Sequence, residues 1–268
     1  MIERDIQLDR HEAKYIIPPS LVPRIRAFIA PFCEPDSHGR GDPPEYDITT
    51  LQLDSPALSL YHAKERDLVD RFKLRARTYG SGPREPVFLE VKRKFGGCIS
   101  KLRACIPREE WSAEKITHPG KTRLAFRSRQ EESAYLEFIR LTQLIGAEPV
   151  VLIRYTREAY FGRMDHYARV SFDRALMYQP TRTWDISGVG KRWFSIDCSL
   201  AQNKDYRFSG VVLELKTLGD APQWMVDLVM HFGLVRTGNC KYATAVALES
   251  LFRGSPPAPA FAYENLRF

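Results

Sequence analysis

The 268-residue chain is poor in the features that mark secreted, metal-stapled or membrane-spanning proteins. Its five cysteines, Cys33, Cys98, Cys105, Cys198 and Cys240, are odd in number and scattered, with no C-x-x-C step among them. That argues against a disulfide framework or a zinc knot and fits a reducing compartment. No N-x-S/T sequon occurs, and Met1-Ile-Glu-Arg-Asp5 lacks the apolar core of a signal peptide. The longest apolar stretch, Trp224 to Val235, is short and interrupted by Asp227 and His231, so no segment reads as a spanning helix. The six histidines show no metal-ligand spacing. Neither an internal repeat nor a clear linker divides the chain. The expectation is one domain over residues 1–253, a Pro-rich tail over 254–268, and a cytoplasmic protein that reaches the inner face of a membrane only through a partner.

What the chain does have is basic charge. Forty Lys and Arg against thirty-three Asp and Glu leave a net +7, which makes nucleic acid, a membrane surface or a phosphorylated small molecule worth considering. Four segments carry helical apolar spacing: 20–32 with Ser20 as N-cap, 131–145 closed by Gly146, a third begun by Pro222, and 241–252.

The remaining periodic segments read as strands. In 71–77, Arg71, Lys73, Arg75 and Arg77 share one face, and Phe72, Leu74 and Ala76 the other. Val87, Leu89 and Val91 alternate with Glu90, Lys92 and Lys94, while Val211, Leu213 and Leu215 alternate with Glu214 and Lys216. Residues 150–160 set Arg154 opposite Ile153 and Tyr155, and 169–176 set Arg169 and Asp173 opposite Val170 and Phe172. An E-x-K step recurs at Glu12/Lys14, Glu90/Lys92 and Glu214/Lys216.

An antiparallel sheet with one face in the core and one in water gives such alternation. A closed barrel gives it too, with apolar residues outward under helices and charges pointing into a wet lumen. That lumen would be lined by Arg75, Arg77, Lys92, Arg154 and Lys216, with Glu12, Glu90 and Glu214 among them. Like charges ~4 Å apart repel by roughly 4 kcal/mol at an effective dielectric near 20. A cationic ring therefore needs interspersed carboxylates or a bound anion. Arginine forks and lysines suit phosphate oxygens, and glutamates suit a hard divalent ion on those oxygens.

Arg10-His-Glu-Ala-Lys-Tyr15, Phe72-Lys-Leu-Arg-Ala-Arg-Thr-Tyr-Gly80, Val87-Phe-Leu-Glu-Val-Lys92, Val212-Leu-Glu-Leu-Lys216 and Lys241-Tyr-Ala-Thr resemble, in order, the vacuolar transporter chaperone (VTC) domain. Arg154 and Arg157 fall between them. This domain is the polyphosphate polymerase branch of the triphosphate tunnel metalloenzymes. The resemblance implies an α+β fold: a closed antiparallel eight-stranded β-barrel tunnel with helices packed on the outside. It also implies transfer of the γ-phosphoryl of ATP to growing inorganic polyphosphate, with Mn²⁺ or Mg²⁺.

By motif position, Lys14, Arg75, Arg77, Lys92, Arg154, Lys216 and Lys241 would hold phosphates, with Lys101 a further basic position. Arg75, Arg77 and Arg154 would stabilise the transferring group; Glu214 leads the metal ligands, followed by Glu12 and Glu90. The implied partners are ATP and inorganic polyphosphate or triphosphate, without nucleic acid, plus a membrane protein for tethering or export. Two related readings stand beside this one: a triphosphatase acting on inorganic or nucleoside triphosphate, and a non-catalytic polyphosphate-binding subunit.

The sequence departs from the wider superfamily's E-x-E-x-K opening by Arg10, and from the branch's usual Ser before the last lysine by Cys240. Regulation or export would need separate proteins, since no phosphate-sensing helical module or membrane domain is evident. Gly120-Lys121-Thr122 lacks the first glycine of a phosphate loop, and Ser187-Gly-Val-Gly-Lys191 reads as a turn. Asp173 either positions a tunnel arginine, pairs with Arg169 or caps a strand end.

Overall fold

Strict alternation over 71–77 and 87–94 produces two long neighbouring strands, and the rest of the sheet is built outward from them. The computed structural model describes residues 10–253 apart from 81, 83, 97, 119–123, 165–166, 191 and 197–209. The Pro-rich tail, Met1–Asp5, the 120–122 glycine-lysine step, Lys191 and Cys198 lie outside the described residues.

The strands are β1 (Arg10–Ile17), β2 (Cys33–Pro35), β3 (Glu45–Asp54), β4 (Asp70–Tyr79), β5 (Val87–Phe95), β6 (Cys98–Ile106), β7 (Glu148–Gly162), β8 (Arg169–Pro180), β9 (Phe194–Ser195) and β10 (Val211–Leu218). The helices are α1 (Val22–Ile29), α2 (Ser59–Glu65), α3 (Ala113–Thr117), α4 (Arg129–Leu144), α5 (Gln223–His231) and α6 (Lys241–Arg253). Eight strands form one antiparallel path, β1-β10-β8-β7-β3-β4-β5-β6; short β2 and β9 pair with β7 and β8.

The sheet curls strongly but does not close, which corrects the expected closed barrel. Among the described residues β1 and β6 form no ladder. Other groups occupy their free edges. The Glu12 and Lys14 carbonyls of β1 accept from the Arg236 side chain at 3.3 Å and from Thr237 N–H at 2.8 Å. On β6, Cys105 N–H donates to Glu131 of α4 at 2.9 Å. Edge groups capped in this way have no need of a partner strand. Lys92 on β5 reaches Glu12 on β1 at 3.4 Å across the opening.

Apolar burial occurs on both sides of the sheet, so helices are not confined to the outside. On the convex side, Phe72, Leu74, Leu89 and Leu152 pack under Tyr135, Phe138 and Ile139 of α4. Ile25, Ile29, Phe172, Leu213 and Leu228 join α1 and α5 to the other half. Each fully buried Leu or Phe contributes roughly 1.5–3 kcal/mol. On the concave side, α6 and α2 set Tyr242, Val246 and Tyr61 against Ile48, Ile153, Tyr155 and Val212. One sector of the concavity is therefore filled, and the charges occupy the remainder.

The helix forecasts hold with shifts. Ser20 is not a cap: Pro19–Leu21 is a single 3₁₀ turn, and α1 starts at Val22 without a side-chain cap bond. Helix α4 begins earlier than expected, where Ser128 Oγ accepts from Glu131 N–H at 3.1 Å, and Gly146 at φ +57° turns the chain out of it. Strand β3 escaped the sequence reading because Ile48–Asp54 is buried on both faces and shows no charge alternation. No described helix is long and apolar enough to cross a membrane.

Candidate phosphate-binding groove

Strand register fixes which charges share the concave face. Arg75 pairs with Gln52 and Glu90, Arg77 with Thr50 and Phe88, Lys92 with Lys101, Glu12 with Lys216, and Lys14 with Glu214. Two knots of charge result, with Lys92 between them.

The first knot surrounds Glu214, which is almost fully buried. Its carboxylate meets Lys216 Nζ at 2.6 Å, Arg157 Nη2 at 3.0 Å, Lys241 Nζ at 3.4 Å and Lys14 Nζ at 3.5 Å. Asp173, fully buried, takes Arg157 Nε at 2.6 Å and Lys241 Nζ at 2.7 Å. Glu12 receives Lys14 at 3.1 Å. Burial alone would raise the Glu214 carboxyl, but Lys216, Lys241, Lys14 and Arg157 hold it well below the usual carboxylate range. Burial likewise opposes the charge on Lys14, yet Glu214 and Glu12 keep it firmly protonated.

The second knot surrounds Glu90, which has no exposed surface. Arg75 Nε and Lys101 Nζ each approach it at 2.6 Å, and Arg103 Nε at 3.4 Å. Arg77 donates to Thr50 Oγ1 at 3.2 Å. Burial, aided by repulsion from Arg75 and Arg77, overcomes the attraction of Glu90 and lowers the Lys101 ammonium to about 7. Burial also lowers Lys92 to about 8, where Lys14, Arg75 and Lys73 work against the help of Glu12. Burial is the main cause in both lysines, and a bound anion would offset it.

The groove opens at one end into a cavity of about 750 Å³ whose wall includes Lys64, Arg71, Lys73, Lys94, Arg236 and Cys240. Lys73 Nζ donates to Cys240 Sγ at 3.0 Å. Burial would raise this thiol, but Lys73 brings it down to about 7.

Of the residues singled out by sequence, Lys14, Lys216, Lys241, Glu12 and Glu214 meet in one knot, and Arg75, Lys101 and Glu90 in the other. Arg77 lies between them, with Glu90 and Arg157 both within its electrostatic reach. Arg154 is the misplacement. It pairs with Thr49 on the convex face, donates to the Ser187 carbonyl at 2.8 Å and lies 4.4 Å from the Trp193 ring centroid. The inward arginine of β7 is Arg157, two positions beyond Tyr155. The sequence reading took Ile153 and Tyr155 as outward because they are apolar. They face inward, where α6 covers them. Of the roles open to Asp173, the structure selects pairing with Arg157 and Lys241 rather than Arg169.

Among the described residues no three His, Cys, Asp or Glu side chains gather into a metal cage. Glu12 and Glu214 come together through the lysine they share. One or two carboxylates suit an ion such as Mg²⁺ that completes its shell with phosphate oxygens and water. The donor set fits a divalent ion delivered on a phosphate ligand.

The fold and groove define an α+β protein whose curled antiparallel sheet presents a cation-rich concave face around buried carboxylates. The chain belongs to the VTC domain family, whose model matches residues 9–250. No curated protein sequence matches it. Similar solved structures include a Hippeastrum candidate adenylyl cyclase with a dominant triphosphatase activity, at 15% identity and TM-score 0.48, covering 93% of this chain and 97% of that one. A Pyrococcus horikoshii protein aligns at 14% identity and TM-score 0.44 over 91% and 99%. The triphosphatase of the Mimivirus capping enzyme aligns at 10% and 0.32 over 85% and 90%.

Proposed function

We propose that the chain is a metal-dependent polyphosphate polymerase that transfers the γ-phosphoryl group of ATP to a growing inorganic polyphosphate chain. One observation carries the reading: positive charge continues from the two knots into the cavity, where Lys64, Arg71, Lys73, Lys94 and Arg236 outnumber Glu65 and Asp67. Three phosphates would be fully served by the knots; a polymer uses the extension.

In this reading residues 1–253 form one catalytic domain. Lys14, Lys92, Lys101, Lys216 and Lys241 bind phosphates, while Arg75, Arg77 and Arg157 stabilise charge on the equatorial oxygens of the transferring group. Arg157 takes the role expected of Arg154. Glu214 and Glu12 would hold Mn²⁺ or Mg²⁺, which would supply charge neutralisation to the bound triphosphate. Glu90, with Arg75 and Lys101 each at 2.6 Å, orients those two cations in this reading.

A terminal phosphate oxygen of the acceptor attacks the γ-phosphorus in line, the bond to the bridging β–γ oxygen breaks, and ADP departs. The attacking oxygen is already ionised, so no general base is required. Tethering or export would come from a membrane-protein partner.

Incubation with ATP and Mn²⁺ followed by polyphosphate gel electrophoresis tests the reading. Chains of increasing length are expected. Free phosphate alone would make the protein a triphosphatase, and no product would make it a binding subunit.

A further inference from the structure

At the end of β4 and β5 away from the cavity, the concave face changes from cationic to aromatic. Tyr46 on β3, Tyr79 on β4 and Phe88 on β5 form a row across adjacent strands, with centroids 6.1 and 5.3 Å apart and the second pair edge-on at 77°. Arg103 on β6 extends the row. Its guanidinium carbon lies 3.9 Å from the Phe88 centroid and 5.3 Å from that of Tyr79. Nη2–H donates to the Tyr79 hydroxyl at 2.9 Å, and Nε lies 3.4 Å from Glu90. The guanidinium is thus laid on a ring and pinned at two corners, while its side chain stays 37% exposed. Arg77, in the phosphate groove, lies 6.0 Å from the Tyr79 centroid, so platform and groove are contiguous.

We propose that this platform is a nucleobase subsite: the base of a nucleoside triphosphate stacks on the Arg103–Phe88 pair while its phosphates run inward to Arg77 and Arg75. The proposal rests on the phosphoryl-donor reading above. An inorganic phosphate chain has nothing to offer a row of rings, and the opposite end of the groove, where the reading above places phosphate alone, is lined by lysines and arginines more than by carboxylates. A base has flat π-faces that stack on aromatic rings and on guanidinium planes. The asymmetry gives the groove a direction, with donor nucleotide at the aromatic end and polymer toward the cavity.

The test is calorimetric titration of the full chain with ATP and, separately, with inorganic tripolyphosphate, each with Mg²⁺, for the parent, Phe88→Ala and Phe88→Leu. Loss of the ring should weaken ATP binding about 5- to 150-fold, the range for one stacked base. Tripolyphosphate, which has no base, should bind within about twofold of the parent in both variants, and its binding reports that they are folded. Phe88→Leu keeps apolar bulk in place should the alanine variant fail to fold. Equal weakening of both ligands, or unchanged ATP affinity, overturns the subsite. A parent that binds both ligands but lengthens no polyphosphate refutes the polymerase reading and leaves the subsite standing; a parent that binds neither overturns both.

Discussion

Replacing Glu90 with Gln removes a charge from the most enclosed point of the groove while nearly preserving shape. The carboxylate has no exposed surface and lies 2.6 Å from both Arg75 Nε and Lys101 Nζ, and 3.4 Å from Arg103 Nε. Removing one partner of a fully buried ion pair costs about 3–5 kcal/mol. Here the cations are 20–37% exposed, so water screens part of the repulsion that is left behind. The expected loss is about 2–3 kcal/mol. For a chain of this length that corresponds to a fall in Tm of roughly 4–12 °C. Tripolyphosphate offers the same cations a replacement for the missing charge and should therefore bind the variant more tightly. Ligand at ~100 times Kd adds roughly 2.7 kcal/mol to the parent, and at equal ligand concentration the variant should gain more. Thermal melts of both proteins with and without tripolyphosphate measure the two effects. A variant that melts with the parent, or gains no more from the ligand than the parent does, would refute the account of Glu90 as the counter-charge of an anion site.

Further outcomes concern the two arginines of β7, the dependence on pH and the reactivity of Cys240. Arg157→Ala should lower the transfer rate about 10²–10³-fold, the usual loss for one charge-stabilising donor. Arg154→Ala should leave the rate within about twofold and instead lower Tm, since its contacts are to Thr49, Ser187 and Trp193; the reverse pattern in rate assays would invert the β7 assignment. Stability of the ligand-free protein should rise from pH 7 to 9. Lys101 at about 7, Lys92 at about 8 and Cys240 at about 7 all sit below their ordinary values, so the unfolded chain binds more protons throughout that window. Phosphate binding should accordingly take up protons at pH 8, measurable by calorimetry in buffers of different ionisation enthalpy, and proton release would contradict the lowering of Lys101 and Lys92. Finally, iodoacetamide at pH 7.5 should label Cys240 faster than buried Cys33, which burial raises to about 11, and tripolyphosphate should slow it by drawing Lys73 away from the thiolate. Mass spectrometry reads both rates, and equal labelling of the two cysteines would count against the Lys73–Cys240 pair.

The charged strands were legible because β4, β5 and β10 separate cations from aliphatics with period two. That regularity groups Arg75 with Arg77, Glu90 with Lys92 and Glu214 with Lys216, and the register confirms each shared face. It failed on β7, where the concave side is apolar because α6 enters the curl and covers Ile153 and Tyr155. Alternation tells which residues share a face, not which face lies inside. Whether the sheet closed was invisible for a similar reason. Closure depends on the distant groups that capture the edges, Glu131 for β6 and Arg236–Thr237 for β1. Asp173 showed no motif of its own. Its role emerges only when β7, β8 and the first turn of α6 are brought together.

The unclosed sheet also bears on how a long ligand would get in and out. A sealed pipe admits a polymer only by an end, and a chain inside can leave only by sliding its whole length. Among the described residues, side chains rather than backbone cross the gap, as Lys92 does to Glu12, a partly exposed ion pair of the kind worth about 0–1 kcal/mol. Parting it requires no backbone ladder to be unzipped. A polyanion of any length could be laid in by its middle, as a rope is dropped into a cleat, and lifted out again without either end being passed through.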